Sequence, residues 1–443
     1  MLDAPSLPVA ARFDRFSLDK IDDNRNAFQR DRDRILYTTS FRRLARVTQV
    51  VSADEGHVFH NRLTHSLQVA QVGRRIAEKL LREAPKTGTT HVDLDADVVE
   101  AACLAHDLGH PPFGHIAEKE LDELARKHGL NDGFEGNAQS FRIVSKLSMG
   151  STDTGLNLTC ATLNAILKYP WLRGENTDLQ DKWGAYESER EVFEWVRQLS
   201  PARFVKSLEA ELMDWSDDVT YSVHDVDDFF RAGVIPIDRL VVDADGERER
   251  FYAEVFGRRK GKLPKDMDEK YLRGAFDALL NRLPIRKAYA PTQKERVRLR
   301  SVTSPLIGSF VNAVEIRASS FPGIYIHEKR RAEIFMLKQL TWHYVIKNPA
   351  LATQQHGQTS IIRSLFSAFY KAATSKSHPN PDLFPISIRE LLPSLPPKSE
   401  DEQKQIVRLI LDFISSLTEE QAVSMCHRMT GIALGSSLFY KVR

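Results

Sequence analysis

The stretch that decides the fold is LAHDLGHPPFGH, residues 104–115. It closes a run over residues 95–108 in which apolar side chains recur on a helical period. The glycine and two prolines that follow end this helix, since proline cannot extend a helix and glycine favours its end. The pair His106-Asp107 therefore stands among apolar neighbours at a helix end, where a charged group needs a partner.

Helical periodicity extends over most of the remaining chain. We predict further helices at Asn61–Ala84, Ile116–His128, Asn137–Leu147 and Thr159–Leu167, and from Pro201 to about Arg231. Three stretches depart from this pattern. They are a β-like segment at Ile237–Val242, a basic loop at Gly257–Lys265, and a short hairpin over Val314–Ile326 around a Phe-Pro-Gly turn.

The pattern predicts an all-α fold, in which a helical core carries a C-terminal helical extension and one short β-hairpin. We divide the chain into an N-terminal arm (1–24), a catalytic core (25–235) and a mostly helical C-terminal region packed on that core (236–443). The composition is that of a globular protein, with 42% hydrophobic and 28% charged residues among 443.

Charge and cysteine content narrow the class of protein. A net charge of +2 is not the footprint of a dedicated nucleic-acid binder. The three cysteines, Cys103, Cys160 and Cys426, lie far apart and form no C-x-x-C pair, which indicates neither a disulfide framework nor a structural zinc site. With neither a signal peptide nor a long apolar run, the sequence predicts a cytoplasmic protein without membrane contact.

The residues with metal-binding chemistry are two histidines and several carboxylates. His65 lies near the start of one predicted helix, and His106-Asp107 lies at the end of the next. An acidic cluster follows on the long helix: Asp214, Asp217, Asp218 and Asp225. Neutral imidazoles with carboxylates suit a divalent ion such as Mn²⁺ or Fe²⁺, and also Mg²⁺.

Seven ordered strings resemble those of HD-domain phosphohydrolases, and more closely those of the bacterial dGTPase-like deoxynucleotide triphosphohydrolases. They are FRRL (41–44), TQV (48–50), RLTHSL (62–67) followed by VAQ (69–71), LAHDLGHPPFGH (104–115), GFEGNAQS (133–140), KYPW (168–171) and DDVTYSVHD (217–225). The resemblance covers roughly residues 25–230. Beyond about residue 240 only helical character is common to both.

The resemblance implies four metal ligands, His65, His106, Asp107 and Asp217. The family pattern places a tyrosine four residues after the last ligand and an aspartate eight residues after it. Counting from Asp217 gives Tyr221 and Asp225, whereas counting from Asp218 gives a serine and a valine. Helix geometry agrees, because residues spaced by four share one face.

Substrate-binding roles carry over by position in the same way. Gln49 is implied to contact the deoxyribose, and Arg62 and Lys168 the phosphates, where a guanidinium fork suits phosphate oxygens. Tyr221 is implied to contact the phosphate–sugar region, and Asp225 to read the 3′-hydroxyl.

Proton transfer is implied for His115, oriented by Glu118 three residues later, with His110 lining the same site. One position departs from the pattern. Several family members have histidine where this chain has Gly136, so His115 is expected to carry more of the acid–base work.

The implied activity is hydrolysis of a deoxynucleoside triphosphate to a deoxynucleoside and inorganic triphosphate. Two alternatives stay open at this stage. One is another HD-type enzyme, a nucleoside monophosphatase or cyclic-nucleotide phosphodiesterase. The other is a nucleotide-sensing or single-stranded-DNA-binding regulator, for which the basic stretches Arg258–Lys262 and Lys329–Arg331 are the cues. The family resemblance also implies a homo-oligomer, often a hexamer, with a dNTP or single-stranded DNA as effector.

Overall fold

The computed structural model describes residues 11–17, 23–49, 60–84, 93–148, 154–200, 202–259, 262–317 and 323–432. Within these ranges the prediction of an all-α fold is confirmed. The helices are α1 (Ala27–Leu36), α2 (Thr39–Arg43), α3 (Arg62–Glu83), α4 (Ala96–Ala105), α5 (His115–Lys127), α6 (Gly136–Arg142), α7 (Cys160–Ile166), α8 (Arg190–Arg197), α9 (Leu208–Arg231), α10 (Ile237–Val242), α11 (Glu247–Arg258), α12 (Glu269–Arg282), α13 (Gln293–Val311), α14 (Glu328–Leu340), α15 (Pro349–Thr374), α16 (Ile386–Arg389), α17 (Glu400–Ser416) and α18 (Glu419–Met429).

Three helices, α3, α4 and α9, pack side by side and position the predicted metal ligands: His65 lies on α3, Asp217 lies on α9, and His106-Asp107 directly follows α4. Polar N-caps set where the first two begin. The side chain of Asn61 accepts from the backbone N–H of Thr64, and that of Asp95 accepts from the N–H groups of Asp97 and Val98. These caps fix the positions of both helix starts relative to the ligands.

The buried apolar residues form two large cores. The first contains residues from Phe28 to Val345, so it includes side chains on both sides of residue 235. The second lies where α5 packs on α15 and α17, and where α15 packs in turn on α18. The division of the chain at residue 235 stays a prediction, but the C-terminal helices contact the helix that begins at His115.

The predicted hairpin is confirmed. Strand β1 (Val314–Arg317) pairs antiparallel with strand β2 (Gly323–Ile326), and Val314 lies opposite Ile326. The tip of the hairpin, residues 318–322, lies outside the described residues.

Three sequence predictions are wrong in detail. Ile237–Val242 is helix α10 and not a strand, and Ile237, Leu240 and Val241 are its buried residues. Their spacing of three and four is helical, so the aliphatic composition was misleading. The long helix begins at Leu208, where Ser207 is the N-cap, and not at residue 201. Helix α11 also extends through Arg258, into the start of the predicted loop.

Residues 11–17 of the N-terminal arm are tied to the core by ion pairs. Arg12 contacts Glu209 of α9 at 2.5 Å, and Arg15 contacts the buried Asp31 of α1 at 2.7 Å. Cys103, Cys160 and Cys426 are buried and have free thiols. Among the described helices, none has the length and apolar character needed to cross a membrane.

Candidate active site

The turn after α4 is held against α6 by close backbone contact. Gly109 donates its N–H to Ser140 Oγ at 2.9 Å, and that hydroxyl donates to the carbonyl of His106 at 2.9 Å. A β-carbon on Gly109 would lie 2.2 Å from the Gly136 carbonyl oxygen. Only glycine therefore allows this approach, which orients His106 and Asp107.

The predicted ligands converge at one point between α3, α4 and α9. His65 Nε2 lies 3.0 Å from Asp217 Oδ1, and His106 Nε2 lies 3.5 Å from Asp107 Oδ1 and 3.7 Å from Asp217 Oδ1. His65, His106 and Asp107 offer donor atoms that all lie within 4.8 Å of one another. Two imidazoles and two carboxylates form a donor set suited to a divalent transition-metal ion.

The tautomer of His106 supports this interpretation. Its Nδ1 contacts the Cys103 carbonyl oxygen at 2.6 Å, so that nitrogen carries the proton and donates. The Nε2 atom then presents a lone pair, yet it is buried and, within the described part of the chain, has no hydrogen-bond partner. A buried acceptor without a partner is costly, and a cation would satisfy it. The residues present therefore fit a metal ion.

Both carboxylates are charged in this environment. Burial alone would raise the pKa of Asp217, but Lys168 and the hydrogen bond with His65 hold it well below its usual value. Burial would likewise raise the pKa of Asp107, but the positive charge of Arg62 helps to hold it low. The Lys168 ammonium lies 2.8 Å from Asp217 Oδ2 and 3.0 Å from Asp214, so it already supplies positive charge at this point.

Asp217 and Asp218 point to different partners, which leads to a prediction. Asp218 pairs with Lys338 of α14, whereas Asp217 contacts His65. We expect Asp217→Asn to lower kcat/KM by more than about 10²-fold. Even the loss of a residue that only hydrogen-bonds to a metal ligand lowers metal affinity or activity by about 10–100-fold. Asp218→Asn should lower kcat/KM by less than about tenfold. Steady-state kinetics on the two isosteric variants check this, and the reverse ranking would contradict the assignment of Asp217.

A cavity of about 680 Å³ opens over the metal-ligand cluster. Nine predicted site residues line it: the ligands His106, Asp107 and Asp217, and also Gln49, Arg62, His110, His115, Lys168 and Tyr221. Two further predicted residues lie just behind this lining. His65 is 2% exposed and lies behind Asp217, and Glu118 lies behind His115. Asp225 is the exception, because it is 4% exposed and is not part of the cavity lining. Burial, with Asp228 nearby, raises the pKa of Asp225 well above its usual value.

Arg62 and His110 flank Asp107. Arg62 is 3% exposed, and it donates to Asp107 Oδ2 at 2.7 Å and to the Thr48 carbonyl at 3.1 Å. His110 Nδ1 lies 3.1 Å from Asp107 Oδ1, and burial together with the charge of Arg62 lowers its pKa to about 4. Arg62 thus orients Asp107 and brings a positive charge to the cavity wall.

His115 is exposed on the cavity wall and is held by a buried carboxylate network. Its Nδ1 lies 2.7 Å from Glu118 Oε2, and Lys182 donates to Glu118 at 2.8 Å and to Glu135 at 2.9 Å. Burial alone would raise the pKa of Glu118, but its bond with His115 holds it well below its usual value. The Nδ1 contact leaves Nε2 of His115 as the nitrogen for proton exchange with a ligand.

The glycine that departs from the family pattern has a structural consequence. A β-carbon on Gly136 would lie 3.2 Å from the His110 ring, so the ring packs directly against the backbone there. A histidine at this position would displace His110. His115 is left as the exposed imidazole of the pair, with its ring 5.3 Å from that of His110.

One wall of the cavity comes from the C-terminal region, where sequence analysis named no site residue. It is lined by Arg259, Phe335, Lys338, Gln339, Trp342, Ile346, Gln354, Gln355 and Gln358. Between α14 and α15 the chain forms a π-helical segment, Thr341–Ile346, which brings Trp342 to this wall. Such segments occur frequently at functional sites, but no local sequence signal marks this one.

Comparison with known proteins agrees with this geometry. The HD domain family matches residues 62–166, and the phosphohydrolase-associated domain matches residues 324–428. A deoxyguanosinetriphosphate triphosphohydrolase-like protein of Streptomyces coelicolor is 37% identical, covering 92% of this chain and 93% of its own length. Relatives with the same name from Corynebacterium glutamicum and Bifidobacterium longum are 34% and 31% identical, over 93% and 91% of this chain and over 93% and 82% of their own lengths.

The fold and the His-Asp cluster thus define a metal-dependent hydrolase of the HD class. Within that class, the chain belongs to the deoxyguanosinetriphosphate triphosphohydrolase-like family. The assignment of individual side chains as ligands or catalysts stays a prediction, although the structure brings most of them to one cavity.

Proposed function

We propose that this protein hydrolyses deoxynucleoside triphosphates to a deoxynucleoside and inorganic triphosphate. One observation carries the proposal: a single cavity joins the His-Asp cluster to Arg62 and to the predicted sugar contacts Gln49 and Tyr221. The cavity is large enough for a nucleotide, since ligand pockets of about 300–1,000 Å³ hold molecules of this size. The names of the relatives point to dGTP as the first substrate to examine.

In this proposal, His65, His106, Asp107 and Asp217 hold the divalent ion, which supplies Lewis-acid charge neutralisation at the phosphate. Arg62 places a guanidinium against phosphate oxygens. His115 moves a proton at Nε2, while Glu118 fixes its ring through Nδ1. A water attacks the α-phosphorus, and the 5′-oxygen of the nucleoside leaves with a proton.

The sugar contact rests on an unsatisfied amide. Gln49 Oε1 is buried and has no hydrogen-bond partner among the residues that the structure describes. A sugar hydroxyl donating to this atom would remove the cost of leaving it unpaired. Tyr221 lies on the same cavity, and burial together with Asp225 raises its pKa, so its hydroxyl stays protonated. These two side chains are the proposed sugar contacts.

The proposed sugar contacts predict that the protein discriminates between deoxyribose and ribose. We expect the wild type to prefer dGTP to GTP, because a site packed around a 2′-deoxy sugar has no room for a further hydroxyl. Tyr221→Ala should relax this preference by about 10–100-fold, whereas Tyr221→Phe, which keeps the bulk, should largely retain it. The ratio of kcat/KM values for dGTP and GTP measures both. Equal values for the two substrates in the wild type would contradict the proposal.

Incubation with each dNTP and Mn²⁺ or Mg²⁺, followed by separation of products, tests the reaction itself. Release of intact triphosphate separates it from monophosphatase or cyclic-nucleotide phosphodiesterase activity. The basic cues for a nucleic-acid-binding regulator are partly engaged within the chain: Arg330 forms an ion pair with Glu333, and Arg258 donates a hydrogen bond to the neutral amide of Gln339. By resemblance we also propose a homo-oligomer, which light scattering on the purified protein would test.

A further inference from the structure

The connection between α17 and α18 reaches the cavity from the far end of the chain. The Leu417 carbonyl accepts from the buried Arg43 at 3.2 Å. The same guanidinium donates to the carbonyls of Leu108 and His110 at 2.9 and 2.8 Å. The HD turn and the C-terminal helices are therefore joined through one side chain, and this brings the next residues, up to Glu419, beside the cavity.

Glu419 contacts two separate walls of the cavity. Its Oε1 accepts from the backbone N–H of Thr48 at 2.8 Å and from that of Phe113 at 3.1 Å, and its Oε2 accepts from Thr48 Oγ1 at 2.7 Å. Thr48 and Phe113 both line the cavity. Its neighbour Glu420 forms an exposed pair with Arg46, with 74% of the glutamate side chain exposed.

Each wall held by Glu419 carries a proposed site residue. Thr48 precedes Gln49, and its carbonyl accepts from Arg62, the proposed phosphate contact. Phe113 lies two residues before His115 and has a φ of +68°, in the left-handed region that non-glycine residues rarely adopt. Such a conformation persists only when surrounding contacts enforce it. The bond from Phe113 to Glu419 is one such contact.

We propose that Glu419 is a positioning residue that holds the sugar-contact wall and the His115 wall of the cavity in register. It acts through Thr48 and Phe113. For its kinetic consequence this inference rests on the proposed function. Thr48 and Glu419 are 371 residues apart in sequence. Through this positioning role, the C-terminal region becomes an integral part of the catalytic site.

Substitutions at Glu419 separate positioning from charge. Glutamine has the same length: its amide oxygen can accept from both backbone N–H groups, and its NH₂ can donate to Thr48 Oγ1. Aspartate keeps the charge but is one methylene shorter, so it cannot span both walls. Positioning therefore predicts that Glu419→Gln is near wild type and that Glu419→Asp resembles Glu419→Ala. An electrostatic role predicts the opposite order.

The kinetic test compares these three variants with Glu420→Ala as the matched control. With the dNTP that the wild type hydrolyses fastest, we expect kcat/KM to fall about 10–100-fold in Glu419→Ala and Glu419→Asp, since a displacement of about 1 Å can cost 10²-fold. Glu419→Gln and Glu420→Ala should stay within about threefold of the wild type. Glutamine as damaging as alanine, with aspartate active, would overturn the inference.

Hydrogen exchange provides a readout that does not depend on turnover. In Glu419→Asp, peptides covering residues 44–49 and 113–116 should exchange faster, whereas Glu419→Gln should keep them protected. Unchanged protection in Glu419→Asp would overturn the inference. If the wild type cleaves no dNTP, the proposed function fails, but exchange still decides whether Glu419 holds the two walls. If Glu419→Ala does not fold, the glutamine and aspartate variants keep both measurements decisive.

Discussion

Asp107→Asn is expected to remove the divalent ion and abolish turnover while leaving the fold intact. Asp107 is 5% exposed and accepts from the buried Arg62, so alanine would leave a buried guanidinium unpaired at a cost of about 3–5 kcal/mol. Asparagine keeps an oxygen for Arg62 but removes the charge that a metal requires. Loss of one ligand should lower metal affinity by more than about 10²-fold, because loss of a residue that only supports a ligand already lowers it by about 10–100-fold.

Elemental analysis, melting temperature and kcat on the same preparation check this prediction. Asp132→Asn is the matched control, since Asp132 pairs with Arg408 at 2.7 Å and does not line the catalytic cavity. The control should keep metal and activity. Full metal occupancy in Asp107→Asn would show that Asp107 is not a ligand, whatever its effect on rate.

His115→Ala should lower kcat by about 10²–10⁴-fold, the usual contribution of general acid–base catalysis, with metal content unchanged. The side chain is 72% exposed, so its removal creates no cavity in the core. A capping role is not seen, because Gly114 is the N-cap of α5 and the His115 ring bonds Glu118 instead. The melting temperature should therefore stay close to that of the wild type.

The control for His115 is another exposed histidine–carboxylate pair. His327 lies 3.0 Å from Glu315 outside the cavity, and His327→Ala should leave kcat unchanged. Glu118→Gln should lower kcat less than His115→Ala does, because it removes only the carboxylate that orients the ring. A lowered melting temperature in His115→Ala, with normal kcat per folded molecule, would show that His115 is only structural.

The helical fold and the centre of the site were predictable from local features. His106-Asp107 stands in an apolar helix that ends at a glycine and two prolines, so the sequence itself indicates a buried charge in need of a partner. The spacing of Asp217 and Tyr221 on α9 likewise follows helix geometry. Short-range patterns determine these features, and the structure places the residues on one cavity.

Features that depend on distant contacts were not predictable. Helix α10 was mistaken for a strand because its short aliphatic run fits either period until its packing is known. Asp225 shares a helix face with Asp217, yet it is buried away from the cavity lining. Trp342 and Glu419 reach the cavity through the packing of α14, α15 and α18, and nothing in their neighbouring residues indicates it.

Turnover of dGTP in ¹⁸O-labelled water, with mass analysis of both products, tests the central claim most directly. Attack of water on the α-phosphorus forms a new P–O bond there and breaks the bond to the 5′-oxygen. We therefore expect intact triphosphate carrying one ¹⁸O, an unlabelled deoxyguanosine, and no turnover once divalent ions are chelated. Release of pyrophosphate or monophosphate, label in the nucleoside, or undiminished turnover in chelator would contradict the account.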